Sequence, residues 1–123
     1  MSATHPVAAR AHRNALQLTP QDLVTALNSK LGAKIVAFIA GKTPSTVSRW
    51  AAGQVTPDED ALRPLRTAHQ VFEMLEAEDS DHTIRAWFVG MNPQLDDVSP
   101  AEALRDGELR EVMAAARAFH AGG

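Results

Sequence analysis

Apolar residues recur every three or four positions along the chain, and no stretch alternates as a half-buried strand would. Leu23, Leu27 and Leu31 give this period in one early segment, and Leu65 and Phe72 belong to a broader stripe in a later one. That later segment is apolar over so much of its circumference that we expect it to pack against both halves of the molecule.

Start and stop signals divide the pattern into short helices. A hydroxyl residue followed by proline is typical of the N-cap and N1 positions, and glycine is typical of the position after a helix. Such pairs stand at Thr19-Pro20, Thr43-Pro44 and Ser99-Pro100, and the first two helices are predicted to close at Gly32 and Gly41. The prediction is an all-α fold of seven to eight short helices, in which an N-terminal helix-turn-helix half packs on a C-terminal helical half.

Proline also sets an expected boundary between those halves. Pro64 disfavours helical geometry at the residue before it, so a kink or a fresh helix start is expected there, with a helix then running to about Glu78. The expected division is residues 1–18 as a flexible arm, 19–63 as the helix-turn-helix half and 64–123 as the second half. In the last helix, the alanines are expected to leave a flat face for another helix, at Ala114, Ala115 and Ala118.

Composition excludes several classes of protein. The chain has 123 residues, 45% of them hydrophobic, which suits one domain or two small halves with a shared core. No apolar run is long enough to cross a bilayer, and the N-terminus lacks a secretory signal. Cysteine is absent and the five histidines are scattered, so neither disulfides nor a metal site is expected. We therefore expect a soluble cytoplasmic protein without a cofactor.

Charge separates the two halves. Residues 1–57 carry six bases and one acid, a net charge of +5, whereas residues 58–123 carry six bases and 14 acids, a net charge of −8. No acid lies between Leu23 and Pro57. Opposite signs on adjacent halves favour two different partners, one of which could be a polyanion.

Residues 33–52 have the spacing of a DNA-binding helix-turn-helix. Ala37 is small where the two helices would touch, Gly41 supplies the turn, and Val47 and Trp50 would face inward. The opposite face of the second helix carries small hydroxyls and one arginine, which suit the edges of bases in a major groove. Lys30 is expected to hold a phosphate beside it. The predicted DNA-binding residues are Lys34, Lys42, Thr43, Ser45, Thr46, Ser48 and Arg49.

Plain packing is the alternative for each of these residues. Thr43 would then be only a cap, and Arg49 could pair with an acid of the second half. Because the basic side chains are few, the affinity of one protomer for DNA is expected to be modest. A dimer would then be needed to read two half-sites roughly one helical turn apart.

The two halves together resemble the Xre/MbcA/ParS family of type II antitoxins. Residues 32–60 are similar to its Xre-type helix-turn-helix, and residues 84–113 to its toxin-binding domain. The second half carries a tryptophan, an Asn-Pro turn with a leucine, and a proline-opened helix with a leucine before a glycine. These positions are Trp87, Asn92-Pro93, Leu95, Pro100, Leu104 and Gly107. The segment 94–98 is more acidic than in many members, which leaves the identity of the toxin open.

The resemblance implies a homodimeric antitoxin that neutralises a RES-domain toxin, an NAD-degrading protein, by blocking its cleft with the C-terminal region. It also implies repression of its own operon through promoter DNA. An acidic half suits a toxin face that accepts an anionic dinucleotide. The candidate toxin-binding residues are Glu108, Arg110, Glu111, Arg117, His120, Gly122 and Gly123. A solvated helix face and a frayed end remain the alternative for any one of them.

Two other interpretations of the whole chain stay open: a stand-alone repressor without a toxin partner, and an antitoxin that has lost DNA binding. An enzyme is not expected. The carboxylate pairs Asp79/Asp81 and Asp96/Asp97 have no histidine, lysine or phosphate loop arranged with them, so they predict neither catalysis nor a small-molecule substrate.

Overall fold

The computed structural model describes residues 18–122, and the regular secondary structure within them consists of helices joined by turns and short loops. The described part contains seven α-helices and one 3-10 turn, Pro93–Leu95. The all-α prediction is therefore confirmed. In chain order the helices are α1 Pro20–Leu31, α2 Ala33–Ala40, α3 Pro44–Ala51, α4 Glu59–Leu75, α5 Asp81–Val89, α6 Pro100–Arg105 and α7 Leu109–His120.

The capping signals of the sequence operate as predicted. Thr19 Oγ1 accepts from the Asp22 amide at 3.1 Å, and Ser99 Oγ accepts from the Glu102 amide at 3.0 Å. Each bond satisfies one of the amides that the first turn of a helix leaves without an intrahelical partner. The predicted arm lies outside the described residues except for Leu18, which packs against the core.

Helix α4 is the central element. It contacts α1 and α2 on one side and α6 and α7 on the other. Leu65, Val71 and Leu75 are fully buried and Phe72 is 1% exposed, so apolar side chains leave α4 in several directions. The prediction that this helix packs against both halves is confirmed.

The expected fresh helix start at Pro64 is wrong, because α4 begins at Glu59 and continues through Pro64 to Leu75. A proline inside a helix costs about 3 kcal/mol. Burial of Pro64 and of its neighbours Ala61, Leu62 and Leu65 offsets that cost. The Asp58 cap, which accepts from the Ala61 amide at 2.9 Å, and the acids in the first turn add to this stabilisation. The expected boundary between residues 63 and 64 therefore falls inside a helix, and the division of tasks between the halves stays a prediction.

The apolar core is continuous across the two halves. A single cluster joins Leu23 and Leu27 of α1 to Ile84 and Phe88 of α5, and it extends to Val112 of α7. None of the described helices is long and apolar enough to cross a membrane.

Truncation of α4 at its centre should destabilise the whole chain. Leu65→Ala removes a fully buried side chain from the helix that both halves share, and the expected loss is about 2–5 kcal/mol of unfolding free energy. Urea unfolding followed by circular dichroism measures it, and one cooperative transition should remain. Val55→Ala is the control, because Val55 is 48% exposed and its truncation should change stability by no more than about 0.5 kcal/mol. Separate transitions for the two halves would contradict a shared core.

Candidate functional site

A tight turn joins α2 to α3. Gly41 has φ of 70°, a left-handed conformation that only glycine adopts without strain, and the Lys42 amide donates to the Ala37 carbonyl at 2.9 Å. Thr43 then caps α3, because its Oγ1 accepts from the Thr46 amide at 3.2 Å. The predicted turn is therefore present.

Helix α3 has one buried and one exposed side. Val47 is fully buried and Trp50 is 3% exposed, and they hold the helix against α1 and α2. Ser45, Ser48 and Arg49 are exposed on the other side. The predicted orientation of α3 is confirmed, whereas the contact with DNA stays a prediction.

The exposed side of α3 carries a network of hydrogen bonds that the sequence did not predict. Arg49 Nη1 donates to Ser45 Oγ at 3.1 Å, and Arg49 Nη2 donates to Thr46 Oγ1 at 3.2 Å. Thr46 Oγ1 also accepts from Thr43 Oγ1 at 3.2 Å. The guanidinium thus lies along its own helix, and among the described residues it pairs with no acid. The pattern i, i+1, i+4 at 45, 46 and 49 could have indicated these contacts.

Three lysines were expected to contact phosphates, and one of them is engaged elsewhere in the fold. Lys34 and Lys42 are exposed, as a phosphate contact requires. Lys30 is only partly exposed, and its Nζ lies 3.0 Å from Glu76 Oε2 and 5.2 Å from the centre of the Phe72 ring. The expectation that Lys30 holds a phosphate is therefore corrected, because this charge is paired with Glu76, the residue after α4, a pairing across 46 positions that no local pattern reveals.

Gln21 is a supporting residue that the sequence did not single out. Its Nε2 donates to the Ala51 carbonyl at 3.0 Å, which satisfies a carbonyl at the end of α3. Its amide also lies over Gly53, where an added Cβ would stand 3.0 Å from Gln21 Oε1 and Nε2. Gln21 and Gly53 therefore fix the C-terminal end of α3 to the start of α1.

The last helix presents a second polar face. Arg110, Glu111 and Arg117 are exposed at helical spacing along α7, while His120 is half-buried. Glu108 is exposed just before the first turn, and its side chain makes no capping hydrogen bond.

The remaining predictions for the end of the chain concern the two C-terminal glycines and the alanine face of α7. Gly122 is exposed, and Gly123 lies outside the described residues. The expected flat alanine face is wrong at Ala115, which is 2% exposed and belongs to the core. Ala114 is exposed and Ala118 is half-buried.

The motif residues of the second half hold this polar face in position. Trp87 packs edge-on against Phe88, with ring centres 5.3 Å apart, and its ring lies 6.1 Å from that of Phe119 near the end of α7. Phe88 is fully buried and Leu95 is 5% exposed, whereas Trp87 is only partly buried.

Asn92 organises the acidic loop that follows α5. Its Oδ1 accepts from the Gln94 amide at 2.9 Å, and its carbonyl accepts from the amides of Leu95 and Asp97, each at 2.9 Å. Asp96 and Asp97 have φ of 56° and 69°, a left-handed conformation that short polar side chains tolerate better than most. The Asn-Pro turn thus sets the shape of the loop that directs the chain into α6.

No metal-binding cluster is found in the part of the chain that the structure describes. Residues 18–122 contain no cluster of three histidine, aspartate or glutamate side chains that could hold a metal ion. Two helix faces, on α3 and α7, present exposed polar and charged side chains; the α7 face carries two acids, Glu108 and Glu111, and two bases, Arg110 and Arg117.

Comparison with known proteins identifies relatives of the chain. No protein-family model matches it. The mycobacterial cidal antitoxin MbcA of Mycobacterium tuberculosis and that of Mycobacterium bovis are each 32% identical to it over 80 residues, 64% of this chain and 70% of theirs.

A solved structure agrees with this match. The crystal structure of the M. tuberculosis MbcT-MbcA toxin-antitoxin complex contains a chain of similar fold, with a TM-score of 0.70 and 29% identity. The similarity covers 83% of the present chain and 94% of that one. The chain therefore belongs to the MbcA family of antitoxins.

Proposed function

We propose that this chain neutralises a RES-domain, NAD-degrading toxin by binding it, and that it represses its own operon as a homodimer on promoter DNA, in the cytoplasm and without catalysis of its own. The toxin part is supported by family membership and by the solved relative, whose structure is that of a toxin-antitoxin complex. The DNA part is carried by one observation, the exposed hydroxyl and guanidinium groups of an α3 that is otherwise anchored in the core.

The chemistry of the α3 surface suits a major groove. Arg49 offers two parallel donors, which match O6 and N7 of guanine, while Ser45 and Ser48 are small enough to let the helix approach the bases. Lys34 and Lys42 would contact phosphates, as would the amides and hydroxyls around Thr43 and Thr46. Arg49 would exchange its bonds to Ser45 and Thr46 for bonds to the base.

The α7 face is the proposed toxin-binding surface. It comprises Glu108, Arg110, Glu111, Arg117 and His120, followed by the C-terminal Gly122 and Gly123. A toxin cleft that accepts an anionic dinucleotide is expected to be positive, and acids on this face would complement it. The contact of Trp87 with Phe119 supports the proposal, because it fixes the end of α7 before any partner arrives.

An exposed apolar surface is the proposed homodimer contact. Ile35, Phe38, Val89 and Ala101 line a shallow cavity of about 270 Å³, and Phe38 and Val89 are 40% and 56% exposed. Arg105 lies 4.9 Å from the Phe38 ring, and Lys34 lines the same cavity. Apolar surface of this kind marks interaction sites, and its closeness to Lys34 would bring two helix-turn-helix units side by side.

Loss of the guanidinium on α3 should weaken promoter binding. For Arg49→Ala we expect a loss of about 1–3 kcal/mol, or roughly 5- to 150-fold in Kd, and relaxed preference at one guanine, measured by gel shift on the DNA upstream of the reading frame. Arg63→Ala is the control, since Arg63 is exposed on α4 next to Asp60. Unchanged binding by Arg49→Ala would refute the assigned face. Absence of wild-type binding at low salt would indicate an antitoxin that does not bind DNA.

Charge reversal on α7 should weaken toxin binding. Glu111→Lys replaces an exposed acid with a base opposite a positive cleft, and we expect at least about tenfold weaker binding to the toxin encoded beside this chain. Co-purification and isothermal titration with that toxin measure it. Glu78→Lys makes the same change on an exposed residue outside α7 and should bind as the wild type does. If no stable partner is captured, the chain is better described as a stand-alone repressor.

A base on the apolar surface should dissociate the dimer. Val89→Lys adds a positive charge beside Lys34 and Arg105, so two copies would repel one another and the dimer Kd should rise by about tenfold or more. Sedimentation equilibrium measures the Kd. Val55→Lys alters a similarly exposed valine outside this cavity and serves as the matched control. A wild-type protein that stays monomeric at all concentrations would refute the homodimer. A Val89→Lys variant that still dimerises as the wild type does would show that the dimer contact lies outside this apolar surface.

A further inference from the structure

A second cavity, of about 320 Å³, lies where α1 meets the C-terminal half of α4. Its apolar lining includes Leu27 and Phe72, which are almost fully buried. Its polar lining comes from Lys30 of α1 and from His69, Glu73 and Glu76, which follow one another at i, i+4 and i+7 along the end of α4 and the residue after it. We call this the His69 cavity; no residue of the α3 or α7 face lines it.

Two acceptors in the His69 cavity have no partner among the described residues. His69 is 8% exposed, and its Nδ1 is buried without a hydrogen bond, as is Glu73 Oε1. The two atoms lie 3.8 Å apart, which is too long for a hydrogen bond between them. Both oxygens of Glu76, in contrast, accept from Lys30 Nζ, at 3.2 and 3.0 Å. Both atoms have almost no accessible surface, so a donor in the cavity would reach them after small rotations of the two side chains. It would then satisfy groups that are costly to bury unpaired.

The electrostatics of the cavity favour a positively charged donor. Two acids, Glu73 and Glu76, and one base, Lys30, line the cavity, so one negative charge is left over. Burial, together with the charge of Glu76, raises the pKa of Glu73, and burial lowers the pKa of His69. A lowered pKa favours the neutral imidazole near pH 7, and in the tautomer with the proton on Nε2 the Nδ1 lone pair can accept from a donor. The cavity also stands at the C-terminal end of a 17-residue helix whose last turn holds no base.

We propose that the His69 cavity binds a guanidinium group, which donates to His69 Nδ1 and to the Glu73 carboxylate at once. A planar fork of donors suits two acceptors 3.8 Å apart. A guanidinium is also less strongly hydrated than an ammonium, so it enters a half-apolar cavity at lower cost. The group could belong to a free guanidino compound or to an arginine side chain of a protein partner, and the affinity of a small probe distinguishes these sources.

The test is a titration of the full-length protein with agmatine, followed through the imidazole Cε1–H signal of His69 by NMR near pH 7.5. We expect a saturable shift, with 1,4-diaminobutane binding more weakly, because it has the same net charge as agmatine but an ammonium, which lacks the planar fork, in place of the guanidinium. A Kd below about 0.1 mM would indicate a free guanidino ligand, and a Kd near 1 mM or above would indicate an arginine that a larger partner helps to bind.

Glu73→Gln removes the charge and retains the shape, and it should raise the agmatine Kd by about tenfold or more. Glu78→Gln is the control on an exposed acid that does not line the cavity, and it should leave the Kd unchanged. If Glu73→Gln does not fold, Glu73→Asp keeps the charge but withdraws the oxygen, and it should also weaken binding. No His69 shift with agmatine, an equal shift with inorganic phosphate, or equal affinity in Glu73→Gln and the wild type would each overturn the proposal. None of these results depends on whether the chain binds DNA or a toxin.

Discussion

Helix α4 imposes the constraint on which the rest of the molecule depends. Its apolar side chains leave the helix in several directions, so it can be stable in water only if other helices surround it. Four helices do so, α1 and α2 from the first half and α6 and α7 from the second. The hydrophobic effect on one helix thus fixes the relative position of all four, and with them the surfaces that face outward.

Polar contacts reinforce this arrangement at one junction. The Lys30 ammonium lies against Glu76 and the Phe72 ring of α4, and the Lys30 carbonyl accepts from Arg85 of α5 at 3.0 Å. The same residue therefore links α1 to two helices of the second half. A partly exposed ion pair of this kind adds little energy by itself, and its main effect is to fix the register in which the halves meet.

Local physics made most of the fold predictable. Caps at Thr19, Thr43 and Ser99, and the left-handed turn at Gly41, depend on residues within a few positions of one another. Pro64 misled the prediction because the strength of the Asp58 cap and the burial around α4 outweigh a penalty that is visible in the sequence. The candidate surfaces were harder to predict from the sequence. Exposure on α3 follows from helical periodicity, but the Arg49 network depends on side-chain rotamers. The pairing of Lys30 with Glu76 depends on the tertiary fold.

The unbroken core has a consequence for how such chains can diverge. Because α4 belongs to both halves, neither half can be exchanged for that of a distant relative without unmatched apolar surface at the junction. Inner faces must change in concert, while outer faces such as those of α3 and α7 can change one residue at a time. Variation among relatives should therefore be rapid and independent on the two outer faces and slow and correlated around α4, so that both surfaces are inherited as one unit.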